Sequence, residues 1–136
     1  MSDTVFTFPV RVYYEDTDAG GIVYYANYLK FFERARTEWL RALGIEQDLL
    51  LSKNVAFVVT QVLMDNKKPA KFNELLTVSS QISTLKQASI VFIQKIHNVA
   101  GELLCSAQIK VACIALQEMK ARAIPGEVAE VLSGGR

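Results

Sequence analysis

Residues 13–28 read Y-Y-E-D-T-D-A-G-G-I-V-Y-Y-A-N-Y, and the spacing of apolar residues changes period across them. Before the stretch, Val10, Val12 and Tyr14 alternate with Pro9, Arg11 and Tyr13. A period of two predicts a strand with one wetter face, here about Phe6 to Glu15, with Pro9 marking an edge or an entry point. After the stretch, Tyr28, Phe31, Phe32, Ala35, Trp39 and Leu43 form one apolar stripe at helical spacing. They predict a long helix from about Tyr24 to Leu43, ended by Gly44. Glu33, Arg34, Arg36, Glu38 and Arg41 fill its other positions, with Arg34–Glu38 and Glu38–Arg41 spaced for ion pairs. Between strand and helix lie three acids, Glu15, Asp16 and Asp18, and then Gly20 and Gly21. A carboxylate beside a helix N-terminus can attack a carbonyl, or activate water against it, while backbone N–H groups polarise the oxygen. The plainer reading makes Asp16 and Asp18 turn and N-cap residues, roles that Asp favours.

The rest of the chain is strand-rich. A helical turn near Glu46 to Leu51 precedes a strand from Val55 to Asp65, whose V-A-F-V-V run is apolar on both faces and predicts a buried strand. The basic connection K-K-P-A-K-F-N-E (67–74) leads to strands at Leu75 to Leu85, Ser89 to Asn98 and Leu103 to Leu116. In the last of these Leu103, Cys105, Ala107, Ile109, Val111 and Cys113 share a face, and Asn98 to Gly101 carries a hairpin turn signal. A short helix follows Pro125 through Leu132, with S-G-G-R frayed at the end. One strand, one long helix and four closely spaced strands predict an α+β fold with an antiparallel sheet on the helix. A doubly wound sheet would need a second crossover helix.

Bulk properties narrow the class. At 136 residues a single domain, 1–136, is expected. A hydrophobic fraction of 51% is high for a short soluble chain and is compatible with apolar surface buried in an oligomer. Fifteen basic residues against fourteen acids give a net charge of +1 and no case for nucleic acid. Cys105 and Cys113 lie too far apart along a straight strand, at ~3.3 Å per residue, to bridge each other. Reduced thiols suit a cytoplasmic location. The start, M-S-D-T-V-F-T-F-P, has neither the basic nor the apolar region of a targeting segment. No apolar run is long enough to span a bilayer, so any membrane association is expected to be peripheral.

The 13–28 stretch resembles the signature of the hotdog-fold thioesterases, in the branch holding 4-hydroxybenzoyl-CoA thioesterase and the YbgC-type acyl-CoA thioesterases. The shared pattern D-x-D-x-x-G-x-V-x-[HY]-x-x-Y is met by Asp16, Asp18, Gly21, Val23, Tyr25 and Tyr28. V-R-V-Y-Y-E-D-T-D-A-G-G, F-E-R-A-R-T-E at 32–38, V-A-F-V-V at 55–59 and V-A-C at 111–113 are similar to the YbgC type, so the resemblance spans most of the chain. It implies a hotdog fold, an antiparallel sheet wrapped around one long central helix. It also implies hydrolysis of an acyl-CoA without metal or cofactor, and a homodimer or homotetramer whose sheets join with the active site at the interface. A link with the Tol–Pal envelope system and with acyl carrier protein is implied as well. The rival readings are a non-catalytic acyl-thioester-binding or scaffold module and a hotdog dehydratase, which generally needs a histidine absent from this region.

Asp18, the second Asp of the pattern, is the expected catalytic carboxylate, either adding to the thioester carbonyl or deprotonating water. The expected oxyanion donors are backbone N–H groups from Gly21 to Tyr25 at the helix start. Glu15 and Asp16 are supporting candidates, since a short acid near Asp18 can hold the turn. Tyr25 stands where YbgC-type members usually carry His. Tyrosine titrates near ~10 rather than ~6.5, so the proton work of histidine does not transfer. Its backbone N–H or its phenol remains available, as does a role as pocket wall. Tyr14 matches an aromatic position near the family's site and is equally placed to be core. His97, the one histidine, lies at a strand end and reads as a solvated surface residue. No Ser or Cys stands in an elbow-like setting for a triad. The Asp16–Gly21 loop lacks the bidentate Glu a calcium loop needs, and no metal site is expected. Lys67, Lys68, Lys71, Lys110 and Arg122 could meet CoA phosphates, with scattered surface cations as the default.

Overall fold

The computed structural model describes residues 4–134. The start of the chain and residues 135–136 of the expected frayed end lie outside these. The strands are β1 (Phe6–Arg11), β2 (Ala56–Asn66), β3 (Leu75–Leu85), β4 (Ser89–His97), β5 (Leu103–Ala115) and β6 (Lys120–Ala121). The helices are α1 (Asn27–Ala42), α2 (Gln47–Ser52) and α3 (Gly126–Leu132). The strands form one antiparallel sheet in the order β1-β3-β4-β5-β2, with β6 paired to β5. This is the expected α+β arrangement, and Pro9 does lie on an edge strand.

Helix α1 buries Tyr28, Phe31, Phe32, Ala35, Trp39 and Leu40 in the same cluster as Val78, Ile82 and Phe92 of the sheet. Burial of a large apolar side chain contributes roughly 1.5–3 kcal/mol, so this stripe holds helix to sheet. Gly44, at φ 87°, takes the left-handed conformation that ends the helix. On β5 the predicted face is buried from Cys105 through Cys113 at alternate positions. The hairpin from β4 to β5 turns at Gly101 (φ 83°), with Asn98 Oδ1 accepting the Glu102 N–H at 2.9 Å.

Several expectations are corrected. The first strand ends at Arg11 instead of Glu15, because residues 14–16 wind into a 3₁₀ turn. Helix α1 starts at Asn27 instead of Tyr24, since Tyr24–Ala26 form a turn that precedes it. Arg36 belongs to the buried face, and Glu38 pairs with Arg41 rather than with Arg34. Strand β2 closes the sheet at one edge, with Val59, Val62 and Leu63 exposed, so the apolar run does not mark an interior strand. β6 had no sequence signal beyond its proximity to β5.

Candidate active site

The loop between β1 and α1 is organised by its two aspartates in different ways. Asp16 is 5% exposed. Its Oδ2 accepts the Tyr13 N–H at 2.8 Å, and its Oδ1 accepts from Asn27 Nδ2 at 3.5 Å. Its backbone carbonyl accepts the Tyr24 N–H at 3.1 Å. Asp16 thus ties the end of the 3₁₀ turn to the first residue of α1. Asp18 is exposed and closes its own turn, where Oδ1 accepts the N–H of Gly20 at 2.8 Å and of Ile22 at 3.4 Å. Its Oδ2 carries no hydrogen bond among the described residues. The side-chain contact to the first residue of α1 comes from Asp16, through Asn27 Nδ2. The N-cap of α1 is Ala26, which supplies no side-chain cap.

The two glycines serve distinct needs. Gly21, at φ 78°, occupies a left-handed conformation, and its N–H donates to the Asp18 carbonyl at 3.0 Å. A Cβ on Gly20 would stand 3.3 Å from Asp18 Oδ1. The turn is closed by a bridge between Thr17 and Val23, and by a second between Ile22 and Lys71.

That second bridge reveals what the basic connection does. The Val23 N–H donates to Ala70 O at 2.8 Å, and the Phe72 N–H donates to Gly21 O at 3.0 Å. The Ala70 N–H donates to the buried Tyr28 hydroxyl at 3.1 Å. Burial pushes the Tyr28 phenol above its ordinary pKa, so it stays neutral. Residues 67–74 are a clamp laid along the aspartate loop. The sequence signals a connection there, but not its partner.

Hydrogen bonding sorts the expected oxyanion donors. The N–H groups of Gly21, Ile22, Val23 and Tyr24 are all engaged, with Asp18 O, Asp18 Oδ1, Ala70 O and Asp16 O. The Tyr25 N–H has no acceptor among the described residues. The Tyr25 side chain is exposed, with its ring 5.1 Å from that of Tyr24. Together with Ile22, Val23, Tyr28, Lys67 and Lys68 it lines a cavity of about 260 Å³. Lys68 there pairs with Glu102 at 2.5 Å. Lys110 lies on β5, and Arg122 donates to Asn54 O at 3.4 Å; neither lines this cavity.

Tyr14 is 81% exposed, which excludes the core reading, and its ring meets Phe72 edge-on at 5.9 Å. His97 ends β4 at an intermediate depth. Among the described residues no group of acids, histidines and cysteines could hold a metal ion, and no helix is long and apolar enough to cross a membrane.

The thioesterase-like superfamily model matches residues 12–132. An acyl-CoA thioesterase YbgC from Haemophilus influenzae is 51% identical over 129 residues, covering 94% of each chain. The chain belongs to the YbgC family of acyl-CoA thioesterases. An Escherichia coli acyl-CoA thioester hydrolase YbgC is 44% identical, over 94% of this chain and 96% of its own. A 1,4-dihydroxy-2-naphthoyl-CoA thioesterase from Synechocystis superposes with a TM-score of 0.90 at 26% identity, covering 96% of this chain and 97% of that one. The hotdog fold and the thioester hydrolase class expected from the resemblance both hold. In this chain Asp16 braces the loop, while Asp18 Oδ2 and the Tyr25 N–H have no hydrogen-bond partner among the described residues.

Proposed function

We propose that the chain hydrolyses an acyl-CoA to free acid and thiol, with Asp18 as the reacting carboxylate and the Tyr25 backbone N–H as oxyanion donor. One observation carries this reading. Of the five N–H groups from Gly21 to Tyr25, three are satisfied inside the loop and one by Ala70 O, and the fifth has no acceptor among the described residues. An unpaired donor ahead of α1 can stabilise the charge that develops on the thioester oxygen.

Two routes share this arrangement. In one, Asp18 Oδ2 adds to the carbonyl carbon, the C–S bond breaks, the thiolate takes a proton from solvent, and water hydrolyses the mixed anhydride. In the other, Asp18 takes a proton from water as that water adds, and the thiolate leaves. Tyr25 contributes no histidine-like proton transfer in either. The exposed Tyr14–Phe72 pair is proposed as an apolar contact for the substrate. The working unit is proposed to be a dimer joined along β2, supported by the apolar side chains exposed on that edge strand.

Thiol release from a panel of acyl-CoAs, native chain against Asp18→Asn, tests the proposal. Asn keeps the Oδ1 that holds the Gly20 N–H, so folding is retained while turnover falls by about 10²–10⁴-fold. Binding without turnover in the native chain would leave a non-catalytic acyl-thioester-binding module instead. After a single turnover in ¹⁸O-water, label in Asp18 identifies the anhydride route with water adding at the Asp18 carbonyl, because the general-base route places solvent oxygen in the product acid alone.

A further inference from the structure

Between α1, α2 and the sheet lies a cavity of about 160 Å³, lined by Leu40, Phe57, Ile90 and Phe92 among others, with Arg36 in its wall. Arg36 is 9% exposed. Its Nη1 donates to Gln94 Oε1 at 2.9 Å, and Gln94 Nε2 donates to Ser80 Oγ at 2.8 Å and to Phe32 O at 3.0 Å. The amide is thereby fixed with its oxygen toward the guanidinium. Arg36 forms no ion pair among the described residues. Its other nitrogens have no partner, yet no sealed side-chain nitrogen or oxygen is unsatisfied. Those nitrogens therefore reach open space, and the cavity is the space Arg36 lines.

The guanidinium carbon lies 5.9 Å from the Phe92 ring centroid, so the buried cation meets one aromatic face and one neutral acceptor but no anion, an arrangement that a ligand oxygen can relieve. Desolvation lowers the Arg36 pKa, and nearby Glu33 offsets this in part. Glu33 also borders the cavity, but it is exposed, and its Oε2 accepts from Thr37 Oγ1 at 2.7 Å. Arg36 stands nine positions beyond Asn27, roughly 13 Å along α1 at ~1.5 Å per residue. That distance suits the far end of an acyl group better than its thioester.

We infer that this cavity receives the distal part of the acyl group, and that Arg36 selects acyl groups carrying an acceptor oxygen there. The inference rests on the hydrolase reading above. A plain alkyl end meets the apolar walls but leaves the guanidinium donors unmet. A hydroxyl or carboxylate end satisfies both, and sites built to hydrogen-bond a substrate group discriminate against analogues that lack it.

Three ten-carbon substrates, long enough when extended to reach Arg36, test this: decanoyl-CoA, 10-hydroxydecanoyl-CoA and sebacoyl-CoA. The native chain is expected to favour one or both oxygenated acyl groups over decanoyl by about tenfold or more in kcat/KM. A preference for both indicates hydrogen bonding, and a preference for sebacoyl alone indicates charge. Arg36→Met is expected to bring the ratio close to one. Should that variant fail to fold, Thr37→Leu, which narrows the cavity from a half-buried position, is expected to raise KM for the ten-carbon substrates relative to acetyl-CoA. Equal turnover of all three substrates by the native chain overturns the inference and leaves the hydrolase reading standing. So does a preference that survives Arg36→Met, or an unchanged KM ratio in Thr37→Leu. No turnover of any acyl-CoA removes the hydrolase reading and this inference together.

Discussion

The hydroxyl oxygen of Tyr28 accepts the backbone N–H of Ala70 at 3.1 Å, and so joins the first turn of α1 to the clamp that lies on the Asp18 loop. Tyr28 is buried and Ala70 has no exposed surface. Tyr28→Phe keeps the ring and strands the Ala70 N–H in the interior. The expected cost is about 1–3 kcal/mol, read as a lowered midpoint in urea, together with a fall in kcat as the loop loosens. Unchanged stability would mean that the clamp is held by Val23 and Gly21 alone.

Gly20 and Gly21 make opposite predictions. Gly20→Ala brings a Cβ to 3.3 Å from Asp18 Oδ1, the end of an exposed side chain that can turn aside. Stability is expected to change little, while kcat falls several-fold as Asp18 leaves its anchor on the Gly20 N–H. Gly21→Ala meets no neighbouring atom but forces a side chain onto φ +78°. Its cost falls on stability, about 1 kcal/mol or more. Denaturation curves beside steady-state kinetics check both.

Cys105 supplies a pH dependence. Burial pushes its thiol from the ordinary 9.0 up to about 12. Above pH ~9 the unfolded chain releases this proton and the folded chain keeps it, so the unfolded state gains. The contribution of Cys105 is thus fully present below pH ~9 and is lost as pH rises toward about 12. Cys105→Ala is expected to flatten that fall in the melting temperature. At pH 8 a thiol reagent should label Cys105 only as the chain unfolds.

Leu63 and Val62 test the β2 edge. Both are exposed on a strand with no neighbour beyond it among the described residues. Leu63→Asp places a charge on the proposed joint and is expected to shift the proposed dimer toward monomer in sedimentation, with loss of turnover. A native chain that sediments as a monomer with full activity would remove the dimer from the mechanism.

Much of the fold was legible because it rests on local geometry. The stripe from Tyr28 to Trp39 and the alternation along β5 each repeat at the period their backbone imposes. Arg36 was not legible. It occupies a position that a charge pattern assigns to solvent, and only Gln94, from a distant strand, gives its guanidinium a place inside. The V-A-F-V-V run misled for a related reason, since an edge strand and an interior strand can carry the same composition.

From the sequence alone came the α+β class and the long helix, together with the expectation that the aspartate loop is the place of chemistry and that Tyr25 does not take over histidine's role. The tertiary structure decided which groups in that loop are free. Asp16 is spent as a brace, Gly21 through Tyr24 have their N–H groups satisfied, and Tyr25 does not. Part of that division, the Val23 N–H, depends on Ala70 arriving from the far side of β2. Periodicity is a property of neighbouring residues, whereas the saturation of a hydrogen-bonding group depends on whatever segment folds against it.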